Sequence, residues 1–228
     1  MNIQRLHPWN VTPKEAVKIQ SELASQVSTQ STGMPVASVA GADISYDRSS
    51  DTLFVAVLVY EFPSMKILEK LSAVKKSSFP YVPGLLSFRE IPPLIDCFAR
   101  LRIIPDLLLC DAQGIAHPRR FGLASHLGLL TGIPSIGCAK SRLIGEELPP
   151  GEGKGCWASL RDRGEEIGRI VRTRDRVKPV YVSVGHMIDI DTAVKLVLDC
   201  CHGYRLPEPT RLAHLEVNTL RREYLDIA

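Results

Sequence analysis

The stretch SVAGADISYDRSSDTLFVAVLVYEF, residues 38–62, decides the fold. SVAGADISYD and LFVAVLVYEF both read as strands, and MKILEKLSAV (65–74) follows as a third. The polar or proline turns between them are too short for a crossover, so the three pair antiparallel. PDLLLCD (105–111) is a short apolar run ending on an acid, the pattern of a buried parallel strand. A helical FGLASHLGLL and another short strand, PSIGCA, come next. CWASL, EIGRIVRT and PVYVSV then read as strands. Thr12-Pro13-Lys14-Glu15 predicts a capped N-terminal helix, and a helical pattern runs from Ile91 to Leu101. Asp189 caps a helix through Cys201, and Thr210 starts the last one. The expectation is an α/β fold in one domain, residues 1–228: a central mixed β-sheet, antiparallel in its first three strands and flanked by α-helices.

A chain of 228 residues and 25.2 kDa is long enough to build a core without disulfides or a structural metal. Its net charge of +3 permits an anionic partner without demanding one. Local basic concentrations lie at Arg119-Arg120, Lys140 to Arg142 and Arg169 to Lys178. No early apolar run is long enough for a signal peptide and no later one reaches membrane-spanning length, so a cytoplasmic protein with no membrane partner is expected. The six cysteines form no C-x-x-C pair and read as buried thiols.

Two carboxylates occupy positions that are expensive for a charge. Asp43 lies among small and apolar neighbours in SVAGADIS, and Asp111 closes an apolar strand before a turn, where open α/β sheets place their ligands. If the first and fourth strands are neighbours, both acids face one point. Glu90 precedes Pro92 and Pro93, where a helix must begin or kink. It also completes Ser87-Phe88-Arg89-Glu90, which matches a purely structural capping box. Together the three acids suggest a hard-cation site for Mg²⁺, or Mn²⁺ in its place, since these ions prefer oxygen ligands. Zinc is disfavoured by the absence of its usual His and Cys spacings.

FPYVPGLLSFRE (79–90), DAQGIAHPRRFGLASHLGLL (111–130), PSIGCAKSRLIG (134–145) and GYRLPEPTRLAH (203–214) resemble the endonuclease V family in order and spacing. The resemblance spans the chain from GADISYD to His214. It implies an RNase H-like fold and an enzyme that cleaves DNA containing deaminated bases, chiefly inosine, at the second phosphodiester bond 3′ to the lesion. That cleavage leaves 3′-hydroxyl and 5′-phosphate ends. It also implies a monomer acting on double- or single-stranded DNA, with RNA as a possible substrate.

By position in those motifs, Asp43, Glu90 and Asp111 match the family's metal-binding carboxylates. His214 matches its C-terminal active-site histidine, and Lys140 its active-site lysine. Pro80-Tyr81-Val82-Pro83 matches the wedge whose tyrosine enters the duplex beside the lesion, with Gly84 letting backbone approach the flipped base. Leu86, Gly114, His117, Gly122, Leu123 and Leu143 fall where the family encloses hypoxanthine. His186 matches a supporting segment, and Arg119 and Arg211 are candidate phosphate contacts. Ala112 departs from the pattern, because many members carry glycine directly after this aspartate, and its methyl bears on base selectivity. Three other readings stand beside this one: an inosine-specific endoribonuclease, a non-cleaving nucleic-acid-binding protein of the same fold, and a sugar-kinase-like ATPase. The last lacks any glycine-rich phosphate loop.

Overall fold

The computed structural model describes residue 1 and residues 3–47 and 50–227. The polar turn expected between the first two strands falls in part on residues 48 and 49, outside the described residues. Helix α1 (Pro13–Leu23) starts on the expected capping box: the Thr12 hydroxyl accepts from the Glu15 amide, and the Glu15 carboxylate accepts from the Thr12 amide at 2.7 Å.

The strands are β1 (Ser38–Tyr46), β2 (Thr52–Glu61), β3 (Ile67–Lys76), β4 (Leu107–Cys110), β5 (Ser135–Ala139), β6 (Glu146–Glu147), β7 (Trp157–Asp162), β8 (Glu165–Val171) and β9 (Val180–His186). They form one nine-stranded sheet in the order β3-β2-β1-β4-β5-β9-β8-β7-β6. The first three pair antiparallel as expected, β4 runs parallel to β1 and to β5, and the remaining pairs are antiparallel. The two-residue β6 carries no apolar run, so the pattern gave no sign of it.

Helices cover both faces, which is why LFVAVLVY is apolar without alternation. Val55, Val57 and Val59 face α2 (Leu86–Arg100) and α3 (Leu123–Thr131), whereas Phe54, Ala56, Leu58 and Tyr60 face α5 (Glu208–Ile227). In β4, Leu108 packs with α2 and α3, while Leu107 and Leu109 pack on the side of α4 (Ile190–Asp199). This mixed sheet between two helical layers is the expected RNase H-like fold. Among the described residues no helix is long and apolar enough to cross a membrane.

Three local expectations are corrected. Helix α2 begins at Leu86 rather than near Ile91, no side chain caps it, and Ser87 lies in its first turn. Pro92 and Pro93 sit inside the helix and deprive the Phe88 and Arg89 carbonyls of their helical donors. Burial of Phe88, Ile91, Leu94 and Phe98 on one stripe outweighs that loss. The last helix starts at Glu208, two residues before Thr210, whose hydroxyl donates to the Pro207 carbonyl. Five of the cysteines are buried, but Cys156 is exposed because it precedes β7 in a loop.

The contact that seats α5 on the sheet requires a glycine. A Cβ at Gly41 would lie 2.1 Å from the Pro209 carbonyl oxygen. Gly41→Ala should therefore overpack the junction of β1 and α5, lowering stability by about 1–3 kcal/mol, measurable as a fall in the urea midpoint without a change in slope.

Candidate active site

Side chains along β1 alternate. Ala40 and Ala42 point into the core beneath α2 and α3, so Asp43 points to the face of α5. β1 and β4 are parallel with Ala42 opposite Cys110, so Asp43 and Asp111 are the next residues along adjacent strands. Asp111 shares the face of Leu107 and Leu109 by the same alternation. On β5, Ile136 and Cys138 point to that face too, and Lys140 is the next residue with their parity. Helix α5, seated by Gly41, brings His214 to the same point.

Among the described residues, Asp43, Asp111 and His214 form a group whose ligating atoms lie within 4.8 Å of one another. His214 Nδ1 is 2.7 Å from Asp43 Oδ2. Asn218 Nδ2 is 3.1 Å from His214 Nε2 and also donates to the His214 carbonyl at 2.9 Å. An amide nitrogen only donates, so in neutral His214 Nε2 accepts and Nδ1–H donates to Asp43. Lys140 Nζ forms an ion pair with Asp111 Oδ2. Asp43 is pushed above the usual carboxylate range by burial first and by the charge of Asp111 second, against the hydrogen bond from His214.

Glu90 projects from α2, in the opposite helical layer, and stands outside the trio. The residue keeps partial exposure, yet its carboxyl is surrounded by protein. Burial, then the charge of Asp43 and, more weakly, that of Asp111 push it up to about 8, with Arg89 opposing. Three acids arranged this way repel one another, a set suited to a divalent cation with oxygen ligands. Asp43 and Asp111 are placed to hold one directly. The six buried or exposed thiols contribute nothing to the group.

A cavity of about 400 Å³ adjoins this cluster and shares Asp111 and Lys140 with it. Its wall includes the expected Tyr81, Val82, Pro83, Gly84, Leu86, His117, Gly122, Leu123 and Leu143, together with Ala112. Pro80 and Gly114 are not part of it. Gly114 is pressed against β9, where a Cβ would meet the Val184 carbonyl oxygen at 1.9 Å, and its amide donates to Ser183 Oγ at 2.8 Å. His186 also lies apart, accepting through Nδ1 from the Ser28 amide at 3.2 Å.

The wedge-like loop is held at both ends. Phe79 is buried against Phe88 and Leu85, and its carbonyl accepts from Arg89 at 2.8 Å. Gly84 takes φ +77°, a left-handed conformation that suits glycine, and its carbonyl accepts from His117 Nε2 at 3.0 Å and from Arg119 at 2.7 Å. Between these anchors Tyr81 is 61% exposed and stacks on Tyr46 with ring centroids 6.5 Å apart. His117 is pushed down to about 4, by burial and then by Arg119, so it is neutral at pH 7 with its proton on Nε2.

The two arginines expected at phosphate are engaged within the protein. Arg119 binds the Gly84 carbonyl and Gln20 Oε1, while Arg211 pairs with Glu208 at 2.6 Å and lies 4.0 Å over the Tyr204 ring. Sequence reading missed Gln20 and Asn218, both in polar stretches of helices where one more amide carries no signal. It also passed over Gln113, whose Nε2 donates to the Ser141 carbonyl at 3.0 Å and ties together the loops after β4 and β5.

Comparison with known proteins places the chain among its relatives. The family model described as Endonuclease V matches residues 21–215. Endonuclease V of Roseiflexus sp. (strain RS-1) is 50% identical over 206 residues, covering 90% of this chain and 92% of the relative. The crystal structure of Endonuclease V from Streptomyces avermitilis superposes with a TM-score of 0.91 at 40% identity, covering 99% of this chain and 100% of that one. Endonuclease V of Ciona intestinalis, solved with a 23mer DNA containing an inosine followed by a ribo-adenosine, gives a TM-score of 0.83 at 28% identity over 96% of this chain and 100% of that one. With the family model matched over residues 21–215 and the fold shared along nearly the whole length, the chain belongs to the endonuclease V family.

Proposed function

We propose that this protein is a Mg²⁺-dependent DNA repair endonuclease that recognises hypoxanthine in DNA. In this reading it hydrolyses the second phosphodiester bond 3′ to the lesion and leaves 3′-hydroxyl and 5′-phosphate ends. The observation that carries the reading is the shared wall: the cavity sized for a base and the carboxylate cluster meet at Asp111 and Lys140. A base lodged in the cavity thereby fixes how far along the strand the carboxylates reach, which couples recognition to the cut.

Asp43 and Asp111 would hold the cation, and Glu90 would ligate through water or orient the nucleophile. When bound there, the cation lowers the pKa of water and neutralises the leaving oxyanion. His214 keeps Asp43 oriented through Nδ1–H. Lys140, a compact ammonium beside Asp111, offsets phosphate charge. Tyr81, the exposed aromatic between two anchored loop ends, inserts beside the lesion and stacks on bases to offset part of the unstacking cost. Backbone groups around Gly84, Gly122 and Leu123, with His117, read the 6-oxo edge that separates hypoxanthine from adenine.

An end-labelled inosine duplex, compared with its adenosine counterpart in Mg²⁺ and in EDTA, tests the assignment. Cleavage of the inosine strand alone, in Mg²⁺ alone, is expected, and a cut at any other linkage refutes the stated position. A parallel inosine RNA substrate separates deoxyribonuclease from ribonuclease action. Asp43→Asn and Asp111→Asn should each lower cleavage by about 1000-fold while the duplex is still bound. Tyr81→Ala should weaken inosine-duplex binding by about tenfold or more, the worth of one stacked base.

Glu90 gives a pH test. Its folded pKa of about 8 stands above its ordinary 4.5, so the folded state binds more protons between those values. This contribution to stability is complete below pH 4.5 and is lost as pH rises toward 8. In metal-free protein Glu90→Gln should remove that decline, and Mg²⁺ should reduce it in the unsubstituted protein, both measurable by urea unfolding across the interval.

A further inference from the structure

We infer that Gln20, on the N-terminal helix, is a positioning residue for base discrimination, acting through the Gly84 carbonyl. The inference rests on reading the 400 Å³ cavity as the base pocket. Gln20 faces inward with Ala16 and Leu23, is 1% exposed, and contributes to the cavity wall. Its Nε2 donates to the Gly84 carbonyl at 3.1 Å and to the Phe121 carbonyl at 3.2 Å, and its Oε1 accepts from Arg119 Nε at 2.6 Å. One buried amide thus joins the 79–85 loop, which carries the wedge tyrosine, to the 111–122 loop, which carries His117 and leads into α3.

The Gly84 carbonyl is approached by three donors, Gln20, His117 and Arg119, although an oxygen of this kind has two lone pairs. The donors come from α1 and from the loop after β4, so the oxygen is restrained from more than one direction. Arg119 in turn depends on Gln20, its one side-chain hydrogen-bond partner among the described residues, to hold its guanidinium against Gly84. A wall restrained in this way accepts a planar base in one pose, whereas a loose wall adapts to several. Preorganisation of this type shows as selectivity and apparent affinity more than as the rate of the chemical step. Asp43 lies on β1 and Asp111 directly follows β4, whereas Gln20 lies on α1.

Two variants separate its interactions. Gln20→Met keeps the length and removes every polar contact. Gln20→Glu keeps an acceptor for Arg119 but sets carboxylate oxygens against two carbonyls. Cleavage kinetics with Mg²⁺ on duplexes carrying hypoxanthine or adenine at one position give kcat, KM and the hypoxanthine-to-adenine ratio of kcat/KM. For both variants KM for the hypoxanthine duplex should rise by about tenfold, the ratio should fall by a similar factor, and kcat should change less than KM. The ratio cancels the active fraction, so it decides the question even where a variant folds only in part. An unchanged ratio, or a loss confined to kcat and Tm, overturns the inference. If the unsubstituted protein itself shows no preference for hypoxanthine, the base-pocket reading fails instead; a preference that both variants retain sinks the role of Gln20 alone.

Discussion

Two carboxylates held side by side, Asp43 within β1 and Asp111 directly after the parallel strand β4, are the constraint around which the rest of this molecule is arranged. Asp43 and Asp111 follow the paired residues Ala42 and Cys110, so the sheet's own register sets them together on one face. Burial first, and then the charge of Asp111 beside it, push Asp43 toward its neutral form. The neighbouring groups relieve that tension in part, His214 by donating Nδ1–H to Asp43 and Lys140 by pairing with Asp111. Each comes from a different element, which explains why the site needs the complete sheet and α5 rather than a local motif.

The opposite helical layer contributes differently. Glu90 and the wedge loop belong to one continuous segment, with Arg89 between them reaching back to the Phe79 carbonyl and out to Asp51 at 2.8 Å. The first turns of α2 therefore connect the exposed Tyr81 to the Glu90 carboxylate. Gly84, at φ +77°, turns the chain where the loop meets the cavity, and its carbonyl joins that segment to α1 and to the loop after β4. In the proposed reading, recognition and chemistry are mechanically adjacent because their residues share a helix and a cavity wall.

Legibility in the sequence followed the physical range of each interaction. The Thr12–Glu15 cap and the Asp189 cap were readable because their bonds span three residues. LFVAVLVYEF and PDLLLCD were readable as strands because burial on both faces leaves a continuous apolar run. Helix α2 was misplaced by several residues: its two prolines argue locally for a start at Ile91, and only packing of Phe88 and Ile91 against the sheet and α1 overrides them. Arg119 and Arg211 read as candidate phosphate contacts, and nothing in the sequence showed that Gln20 and Glu208 engage them.

The amino-acid sequence by itself determined the order of elements, the three isolated acids that demand compensation, and the long motifs that mark the family. It could do so because periodicity, capping and motif spacing are properties of neighbours along the chain. The tertiary structure decided which atoms meet: Asp43 with His214, Asp111 with Lys140, and Gln20, His117 and Arg119 on one carbonyl oxygen. Those pairings depend on strand register, on the closeness that Gly41 allows α5, and on the side of the sheet each helix covers. Such distances are set by packing among residues far apart in the chain, where sequence spacing carries no information about contact.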